Sequence, residues 1–573
     1  MTQVLDLRFK GSFDPEIADI FNQISYDFRS NFNEIVSTLS RPFIGNLDWW
    51  VEGPASRNTY ASPLYHNLCC LLLVEYLIKN RMFYCSKVLV NNSALQIILI
   101  QLFKDFDIND CRLIYIRKKF TKQIKSKLAL PFFIFQKSIQ LLISRLSGKI
   151  NIKDIKDRQL ILVDTFMLQE YTDNDRWYGE FWSHLSTDTK ANTYFIPTIV
   201  DTPLTKMHKV YKDLRSNDRN FIIKEDFLNF KNIFKTASHF WNIRKMKIEP
   251  LIFLNCDISH LVKEELLNNT DKFSVLESLL NFDFVRNLRN QNIEVDLSID
   301  WFEGQVFDKS WSYAFHSFYP KTTIVGYRAS HSFSAYLCSF PIPIEHEAKC
   351  LPDEIAIQGE GSRKALTEFF PKLGVRIIPS FKSAYVWDFD YKYNTEKNIV
   401  LITLPISIDM SIEMIKKIHR VKVFLKFDNT NNPFIIKPHP TQNVRLIKEI
   451  ARKIDLDIQV TEEISFSTAL KNTAVLLTDA SSTCLEALAC GIPVIIMPNT
   501  SGLSYNPLPD SIPSKIFSSA KTTEEIAFAL KSFLYRDILM SKELNKIGKK
   551  IRNDFFEPIS QKGIDRFLHK NIK

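Results

Sequence analysis

Two polar turns in the last third of the chain hold residues that could bind a phosphate group. Each turn follows an apolar segment of strand length, at 434–436 and at 474–478. The candidate residues are Lys437, His439 and Pro440 in the first turn and Ser481, Ser482 and Thr483 in the second. A lysine, a histidine and the N–H groups at a helix start are typical phosphate ligands. A strand-end turn with a buried histidine, followed by a capped helix, is the structural alternative.

The elements that must position these turns are predicted by the alternation of apolar and amphipathic segments after residue 398. We predict strands over 399–405, 434–437, 457–460, 474–478 and 492–497, and helices over 409–427, 442–453, 465–471 and 482–490. Strands that alternate with helices are typical of a doubly wound parallel sheet, which binds ligands at the carboxyl ends of its strands. Both polar turns follow such ends, so we expect a nucleotide-phosphate site there.

Residues 434–498 resemble the C-terminal half of GT-B glycosyltransferases, most closely bacterial enzymes that use CMP-activated acidic sugars in capsule and lipopolysaccharide assembly. Those families hold CMP with a His-Pro motif and a Ser-Ser or Ser-Thr motif. The matching residues here are His439-Pro440 and Ser481-Ser482-Thr483. The resemblance also implies that Glu486, one helical turn after Thr483, binds the ribose or the sugar of the nucleotide-sugar substrate.

The length of 573 residues exceeds what one hydrophobic core normally organises, so we expect two large lobes. The resemblance implies an α/β GT-B fold, in which two Rossmann-like lobes face each other across a cleft. We predict an acceptor-binding lobe over 1–385, with a helical insertion at about 206–292, and a nucleotide-sugar-binding lobe over 386–573. Strands of the first lobe are predicted at 87–90, 113–116, 160–163, 194–199, 322–325 and 354–357, and the linker at 376–398.

Three carboxylates are candidates for the catalytic step. Glu303 lies between aromatic residues, in a stretch that resembles bacterial surface-carbohydrate biosynthesis proteins with a Trp-Glu-x-Gln element before an Ile-Gly-Tyr strand. An aromatic surrounding can raise a carboxyl pKa and offer a surface on which a sugar stacks, which suits a group that takes an acceptor proton. A structural carboxylate that binds backbone amides is the alternative for Glu303.

The other two candidates are Glu360 and Asp409. Glu360 lies between two glycines, which allow a ligand to approach closely but would equally serve a hinge. Asp409 follows a strand-end proline, and the resemblance to retaining Kdo (3-deoxy-manno-octulosonic acid) transferases implies that a cleft carboxylate can attack the anomeric carbon. An ordinary helix N-cap is the alternative for Asp409. Ile406 stands where many related sequences have an acidic residue, which weakens the comparison for this loop.

Composition excludes several other classes of protein. The chain has only 14 glycines and contains no glycine-rich dinucleotide or P-loop motif. Its nine cysteines show no metal-ligand spacing, so we expect reduced thiols in a cytoplasmic protein. No signal peptide and no membrane span is apparent in the sequence. The net charge of +10 comes without a nucleic-acid-binding motif, so nucleic acid is not an expected partner.

The basic cluster at 117–127, followed by the aromatic and apolar segment 130–143, has two interpretations. Such a segment can lie on the surface of an anionic membrane, which would make the protein peripheral at the inner face of the plasma membrane. It can equally be a core helix with a solvated basic start.

The function that we expect from these observations is transfer of Kdo or a related nonulosonic acid from a CMP donor to a surface glycan, in lipopolysaccharide O-antigen or capsule. The expected partners are a nucleotide sugar and a glycan or lipid-linked glycan acceptor, with no cofactor and no metal. One alternative is a glycerol- or ribitol-phosphate transferase with a CDP donor, for which His316 and His331 are the available histidines. Another is a catalytically silent subunit of a glycan-assembly complex.

Overall fold

The chain folds into two lobes, each built on a six-stranded, all-parallel sheet that is covered by helices. The computed structural model describes residues 4–116, 120–167, 175–200, 202–268, 271–389, 399–426, 433–456, 458–461, 464–498 and 502–569, without the side chains of 120–127. This architecture confirms the predicted α/β GT-B fold with two Rossmann-like lobes.

A small unit that we did not predict precedes the first lobe. Its elements are β1 (Val4–Asp6), α1 (Pro15–Ser40), α2 (Leu47–Trp50), α3 (Gly53–Ser56), α4 (Leu64–Lys79), β2 (Lys87–Val90), α5 (Ser93–Asp105) and β3 (Arg112–Tyr115). The three strands form a separate parallel sheet in the order β1-β2-β3. The strands predicted near 87–90 and 113–116 therefore exist but do not join the sheet of the first lobe, because strand pairing depends on long-range packing.

The first lobe has the strand order β11-β10-β9-β8-β4-β5. Its elements are α6 (Phe120–Leu146), α7 (Lys153–Lys156), β4 (Gln159–Met167), α8 (Thr187–Asn192), β5 (Thr193–Ile199), α9 (Leu204–Arg215), α10 (Phe230–Ala237), α11 (His239–Lys245), β6 (Ile252–Phe253), β7 (Cys256–Asp257), α12 (Ser259–Asn268), α13 (Lys272–Asn290), β8 (Glu294–Trp301), α14 (Val306–Phe318), β9 (Thr323–Arg328), α15 (Pro343–Glu347), β10 (Glu354–Ile357), α16 (Arg363–Leu366) and β11 (Val375–Ile377).

The region 206–292 is mostly helical, as predicted, and contains one short antiparallel ribbon, β6-β7. Its last helix, α13, packs against α14 through the stacked rings of Phe284 and Trp311 and so covers the main sheet. Strand β8 lies near the centre of that sheet, yet we did not predict it. Polar residues interrupt its apolar pattern, and two of them, Ser298 and Asp300, are buried.

The second lobe has the strand order β14-β13-β12-β15-β16-β17. Its elements are β12 (Ile399–Thr403), α17 (Ile408–Leu425), β13 (Phe434–Lys437), α18 (Val444–Lys453), β14 (Gln459–Val460), α19 (Phe466–Lys471), β15 (Thr473–Thr478), α20 (Thr483–Ala489), β16 (Val494–Ile496), β17 (Phe517–Ser519), α21 (Thr523–Leu534), α22 (Ile538–Phe555) and α23 (Gln561–Phe567). The predicted strands and helices of this lobe match the observed ones to within a few residues.

The C-terminal segment returns to the first lobe. The backbone N–H of Ser380 donates to the carbonyl oxygen of Glu557 at 2.9 Å, and the ring of Phe567 packs against those of Phe381 and Tyr327. Helix α23 therefore lies on the first lobe, although our sequence boundary assigns 386–573 to the second. Residues 390–398 of the predicted linker lie outside the described residues.

No helix in the described part of the chain is long and apolar enough to cross a membrane. All nine cysteines lie in that part, and none of them forms a disulfide.

Candidate functional site

The two polar turns lie at the same edge of the second sheet. Strand β12 pairs with β13 on one side and with β15 on the other, and Thr403 is in register with both Lys437 and Thr478. Neighbouring strands are about 4.8 Å apart, so the ends of β13 and β15 are roughly 10 Å from each other. A group the size of a phosphate ester can contact both turns.

The side chain of His439 is held as a neutral ring. The backbone N–H of Thr441 donates to Nδ1 at 3.2 Å, so Nδ1 is an acceptor and the ring proton lies on Nε2. Burial, with the nearby positive charges of Arg176 and Lys382, lowers the pKa of His439 to about 4. At neutral pH the ring therefore offers an uncharged Nε2–H donor. Pro440, the next residue, is exposed.

Lys437 and the serine turn are both engaged in local hydrogen bonds. Lys437 Nζ donates to the carbonyl oxygen of Ile464 at 2.5 Å. The N–H of Thr483 donates to Ser481 Oγ at 3.3 Å, and the N–H of Cys484 donates to the Ser481 carbonyl oxygen at 3.2 Å. These two amides, which we expected to be free for a phosphate, are thus bound within the turn. The hydroxyl groups of Ser481, Ser482 and Thr483 are half-buried.

Glu486 faces the segment that joins the lobes. The hydroxyl of Tyr385 donates to Glu486 Oε2. Burial raises the pKa of Glu486, while the positive charge of Lys382 and the bond from Tyr385 oppose that rise. The carboxylate that we expected to bind the ribose or sugar therefore lies next to a lysine and a tyrosine of the kinked 3₁₀ segment 381–386.

Lys382 interacts electrostatically with one carboxylate from each lobe. Burial lowers its pKa, and the charges of Glu486 from the second lobe and Glu303 from the first act in the opposite direction. Its Nζ lies 5.5 Å from the ring centroid of Trp301 and 5.9 Å from that of Trp177. The two tryptophan rings pack together at 4.7 Å, so Lys382 lies against an aromatic surface at the cleft.

Arg176 is the second cation of this group. It belongs to the segment after β4, and its guanidinium lies 4.9 Å from the ring centroid of Trp177. Arg176 and Lys382 both affect the pKa of His439. Both cations also lie against the ring of Trp177. Arg176, Lys382 and His439 come from three separate segments, and we call them, with Trp177 and Tyr385, the cleft group.

Glu303 is fixed by neighbours on its own loop, directly after β8. Trp301 Nε1 donates to Glu303 Oε1 at 3.1 Å, and Gln305 Nε2 donates to Glu303 Oε2 at 2.8 Å. Gly304 has a φ of +77°, and a Cβ at this position would lie 1.8 Å from the Cys338 carbonyl oxygen. The loop therefore requires glycine, and its shape fixes the position of the carboxylate.

Asp308, at the start of α14, stabilises the loop that carries Glu303. Its Oδ2 accepts the N–H groups of Glu303 and Gln305 at 2.8 and 2.9 Å. Burial raises the pKa of Asp308 to about 8, and the charge of Glu303 adds to this effect. Asp164 and Asp300 are buried close to it, and burial raises the pKa of both. A negative charge on Glu303 therefore disfavours the ionised form of Asp308.

Glu360 and Asp409 lie in different surroundings from Glu303. Glu360 is exposed and forms an ion pair with Arg363 at 2.5 Å. The adjacent Gly359 allows a close contact with the end of α22, since a Cβ there would lie 2.4 Å from the carbonyl carbon of Phe555. Asp409 is exposed in the first turn of α17, where a negative charge favours the helix. In the described part of the chain, neither carboxylate forms a hydrogen bond or an ion pair with Arg176, Lys382 or His439.

His316 and His331, the histidines available for the glycerol- or ribitol-phosphate transferase alternative, both make structural contacts. His316 Nε2 donates to the Leu351 carbonyl oxygen at 3.0 Å. His331 is buried against Phe555, and burial with the charge of Arg328 lowers its pKa to about 3.

A cavity of about 450 Å³ lies at the same end of the second sheet, between α1 and the ends of β16 and β17. Its lining is partly apolar and partly polar, with Asn22, Gln23, Ser504 and Asn506 as neutral polar side chains and Tyr26 and Tyr505 as aromatic ones. The ion pair of Asp19 and Lys521 also lies at the cavity. The N–H of Ser504 donates to Asn22 Oδ1 at 2.8 Å, so helix α1 is tied to the second lobe beside the cavity. Amides, hydroxyls and aromatic rings are side chains that suit an uncharged sugar.

Comparison with known proteins adds no family assignment. No protein-family model matches the chain, and no curated protein matches its sequence. Among solved structures, the S. aureus MnaA–UDP co-structure has a TM-score of 0.43 at 12% identity and covers 73% of this chain and 98% of its own. The UDP-GlcNAc 2-epimerase from Neisseria meningitidis bound to UDP-GlcNAc has a TM-score of 0.40 at 12% identity, with coverages of 72% and 99%.

A third solved structure is the alpha,alpha-trehalose 6-phosphate synthase from Burkholderia multivorans. Its TM-score is 0.41 at 11% identity, and it covers 72% of this chain and 95% of its own. At these TM-scores and identities, none of the three likenesses bears on the substrate or the reaction of this protein.

Four residues of the cleft group, Arg176, Trp177, Lys382 and Tyr385, are not predicted by the sequence patterns. Two of them lie in the segment that we predicted as a linker because it is rich in aromatic and charged residues. The available signal is this composition, because a lysine among aromatic residues can form cation–π contacts.

Proposed function

We propose that the protein is a GT-B glycosyltransferase that moves Kdo or a related nonulosonic acid from its CMP ester to a surface glycan, such as O-antigen or capsule. The observation that carries the proposal is that Lys382 and Arg176 lie against the same tryptophan, Trp177, and that the charges of both act on His439. Cleavage of a CMP ester leaves negative charge on a single phosphate. Two cations and a neutral N–H donor at one place stabilise such a leaving group.

The roles of the other residues follow from their positions. In the proposal, the hydroxyls of Ser481, Ser482 and Thr483 hold the nucleotide from the second lobe, and Glu486 orients its ribose or sugar. Glu303, set between Trp301 and Gln305 on the first lobe, accepts the proton of the acceptor hydroxyl. The cavity beside α1 is wide enough for a sugar unit of the acceptor. The proposed transfer reaction also requires no metal ion.

The proposal is tested by thermal unfolding in the presence of CMP, UMP, GMP or AMP. A ligand that binds only the folded protein raises its apparent stability, so CMP should raise the melting temperature more than the other three. His439→Ala should abolish the difference, whereas His260→Ala, at an exposed histidine of α12, should not. Equal stabilisation by UMP would instead favour a UDP-sugar substrate.

Turnover is tested separately from binding. Incubation with CMP-Kdo and other CMP-nonulosonates, together with candidate glycan acceptors, should release CMP and lengthen the acceptor. A protein that binds CMP but transfers no sugar from any of these substrates would be a silent subunit of an assembly complex.

A further inference from the structure

Helix α6 exposes a stripe of large apolar side chains along its outer face. Between 48% and 80% of each of these residues is exposed, and they are Leu128, Phe132, Phe135, Leu142 and Leu146. Their spacings of three, four and seven residues place them on one side of an α-helix. A single exposed leucine needs no explanation, but five such residues on one helix face form a continuous apolar surface.

The opposite face of α6 is fixed in the core of the first lobe. Phe133 and Leu141 are buried there, and the ring of Phe133 packs against Phe273 of α13. Lys137 is buried in the same face, with its Nζ 2.6 Å from the carboxylate of Glu277. Because this buried ion pair would be lost on rotation of the helix, the apolar stripe cannot turn inward.

Helices α10 and α11 expose further large apolar side chains. Helix α10 packs against α6 and exposes Phe230 and Phe234, and α11 exposes Trp241. The guanidinium of Arg145 lies 5.9 Å from the ring centroid of Phe230 and so connects the two helices. We call these exposed apolar residues of α6, α10 and α11 the α6 surface.

Most of the charged side chains exposed on α10 and α11 are positive. Lys231, Lys235, Arg244 and Lys245 are exposed on α10 and α11. Two acidic residues of this region, Asp226 and Asp283, are buried and pair with Arg215 and Arg286, and Asp283 Oδ1 also lies 3.8 Å from Lys235 Nζ. Six further basic residues precede Leu128 in the sequence, within 117–127, but residues 117–119 and the side chains of 120–127 lie outside the described part of the chain. Apolar side chains surrounded by cations are therefore presented to the outside.

We propose that the α6 surface docks the protein on an anionic lipid bilayer. The phenylalanines, leucines and Trp241 enter the interfacial layer, while the surrounding lysines and arginines bind lipid phosphates. Positive charge favours this occupant over a second copy of the chain, because two such surfaces would repel each other. The inference goes beyond the proposed transfer reaction, and either can fail without the other.

Sedimentation with lipid vesicles tests the inference. The full-length protein should sediment with vesicles that contain phosphatidylglycerol and much less with vesicles of phosphatidylcholine alone, and added salt should weaken the binding. The double variant Phe132→Ser/Phe135→Ser should lower the affinity by roughly tenfold or more. Replacing Lys231 and Lys245 by Gln should lower it by roughly fivefold for each charge removed.

The matched control is Phe528→Ser/Leu539→Ser, which removes two equally exposed apolar side chains from α21 and α22. This control should sediment as the wild type does, and all variants should keep the wild-type stabilisation by CMP. The inference is overturned if the wild-type protein does not sediment with anionic vesicles. It is also overturned if analytical ultracentrifugation shows a dimer that Phe132→Ser/Phe135→Ser dissociates, because a second copy would then cover the surface.

Discussion

The ammonium group of Lys382 lies 5.5 Å from the ring centroid of Trp301, so the joining segment meets the first lobe at the end of β8. Trp301 in turn donates its indole N–H to Glu303. On its other side, Lys382 acts on Glu486 of the second lobe. Lys382 thus interacts both with the surroundings of Glu303, the proposed general base, and with Glu486 of the proposed nucleotide site. It is therefore the first residue to test.

Replacing Lys382 by Met should weaken CMP binding by roughly tenfold or more, because a cation that faces the phosphate is lost. The fold should survive, since the variant removes a charge whose burial is unfavourable. Isothermal titration calorimetry measures the affinity, with Lys416→Met, an exposed lysine of α17, as the control. Wild-type affinity in Lys382→Met would show that this lysine does not contact the phosphate.

Replacing Glu303 by Gln should lower turnover by roughly two to four orders of magnitude and leave CMP affinity nearly unchanged, because a general base acts only in the chemical step. Asp409→Asn and Glu360→Gln should retain most of the turnover, since both carboxylates are exposed. Initial rates and calorimetry on the three variants make the comparison.

A covalent mechanism would give a different result. A nucleophilic carboxylate should leave a sugar adduct that intact-protein mass spectrometry detects after incubation with the CMP-sugar. If all three variants keep wild-type turnover, the assignment of the catalytic carboxylate is wrong.

Replacing Gly304 by Ala should destabilise the protein by roughly 3 kcal/mol, because the residue has a positive φ and the new Cβ would clash with a backbone oxygen. Turnover should fall as well, because the same loop positions Glu303. Gly45→Ala is the matched control, since no atom lies within 4 Å of a Cβ built there. Urea unfolding compares the two, and equal stabilities would contradict the strain argued for the loop.

The buried histidine of α11 should make stability depend on pH. His239 contacts Asp48 Oδ1 at 2.6 Å and Glu52 Oε1 at 2.7 Å, and these carboxylates raise its pKa to about 9 although burial opposes the rise. Since the folded-state pKa is above the unfolded value of 6.5, the stabilisation is complete below that pH and is lost as pH rises towards 9. Roughly 3 kcal/mol of unfolding free energy is at stake.

Urea unfolding at a series of pH values between 6 and 9.5 measures this effect. The variant His239→Gln should be less stable than the wild type near pH 6, and the difference should shrink as pH rises. A difference that stays constant over the range would mean that the histidine does not titrate with folding.

The local pattern of the sequence determined much of the second lobe. Apolar strands, amphipathic helices and the two polar turns at Lys437 and Ser481 are short-range features, because side-chain periodicity and turn chemistry act over a few residues. The same signal failed at β8, where a buried Asp300 interrupts the apolar pattern. It also failed to assign β2 and β3 to their own sheet, since pairing partners are not encoded locally.

The composition of the cleft group was decided only by the tertiary structure. Arg176, Lys382 and His439 come from three segments far apart in the chain, and nothing in their local sequence indicates that their charges act on each other. Their meeting depends on how the two sheets face each other and on the return of the C-terminal segment to the first lobe. Sequence periodicity predicts which residues are buried, whereas the packing of whole lobes decides which distant residues share a site.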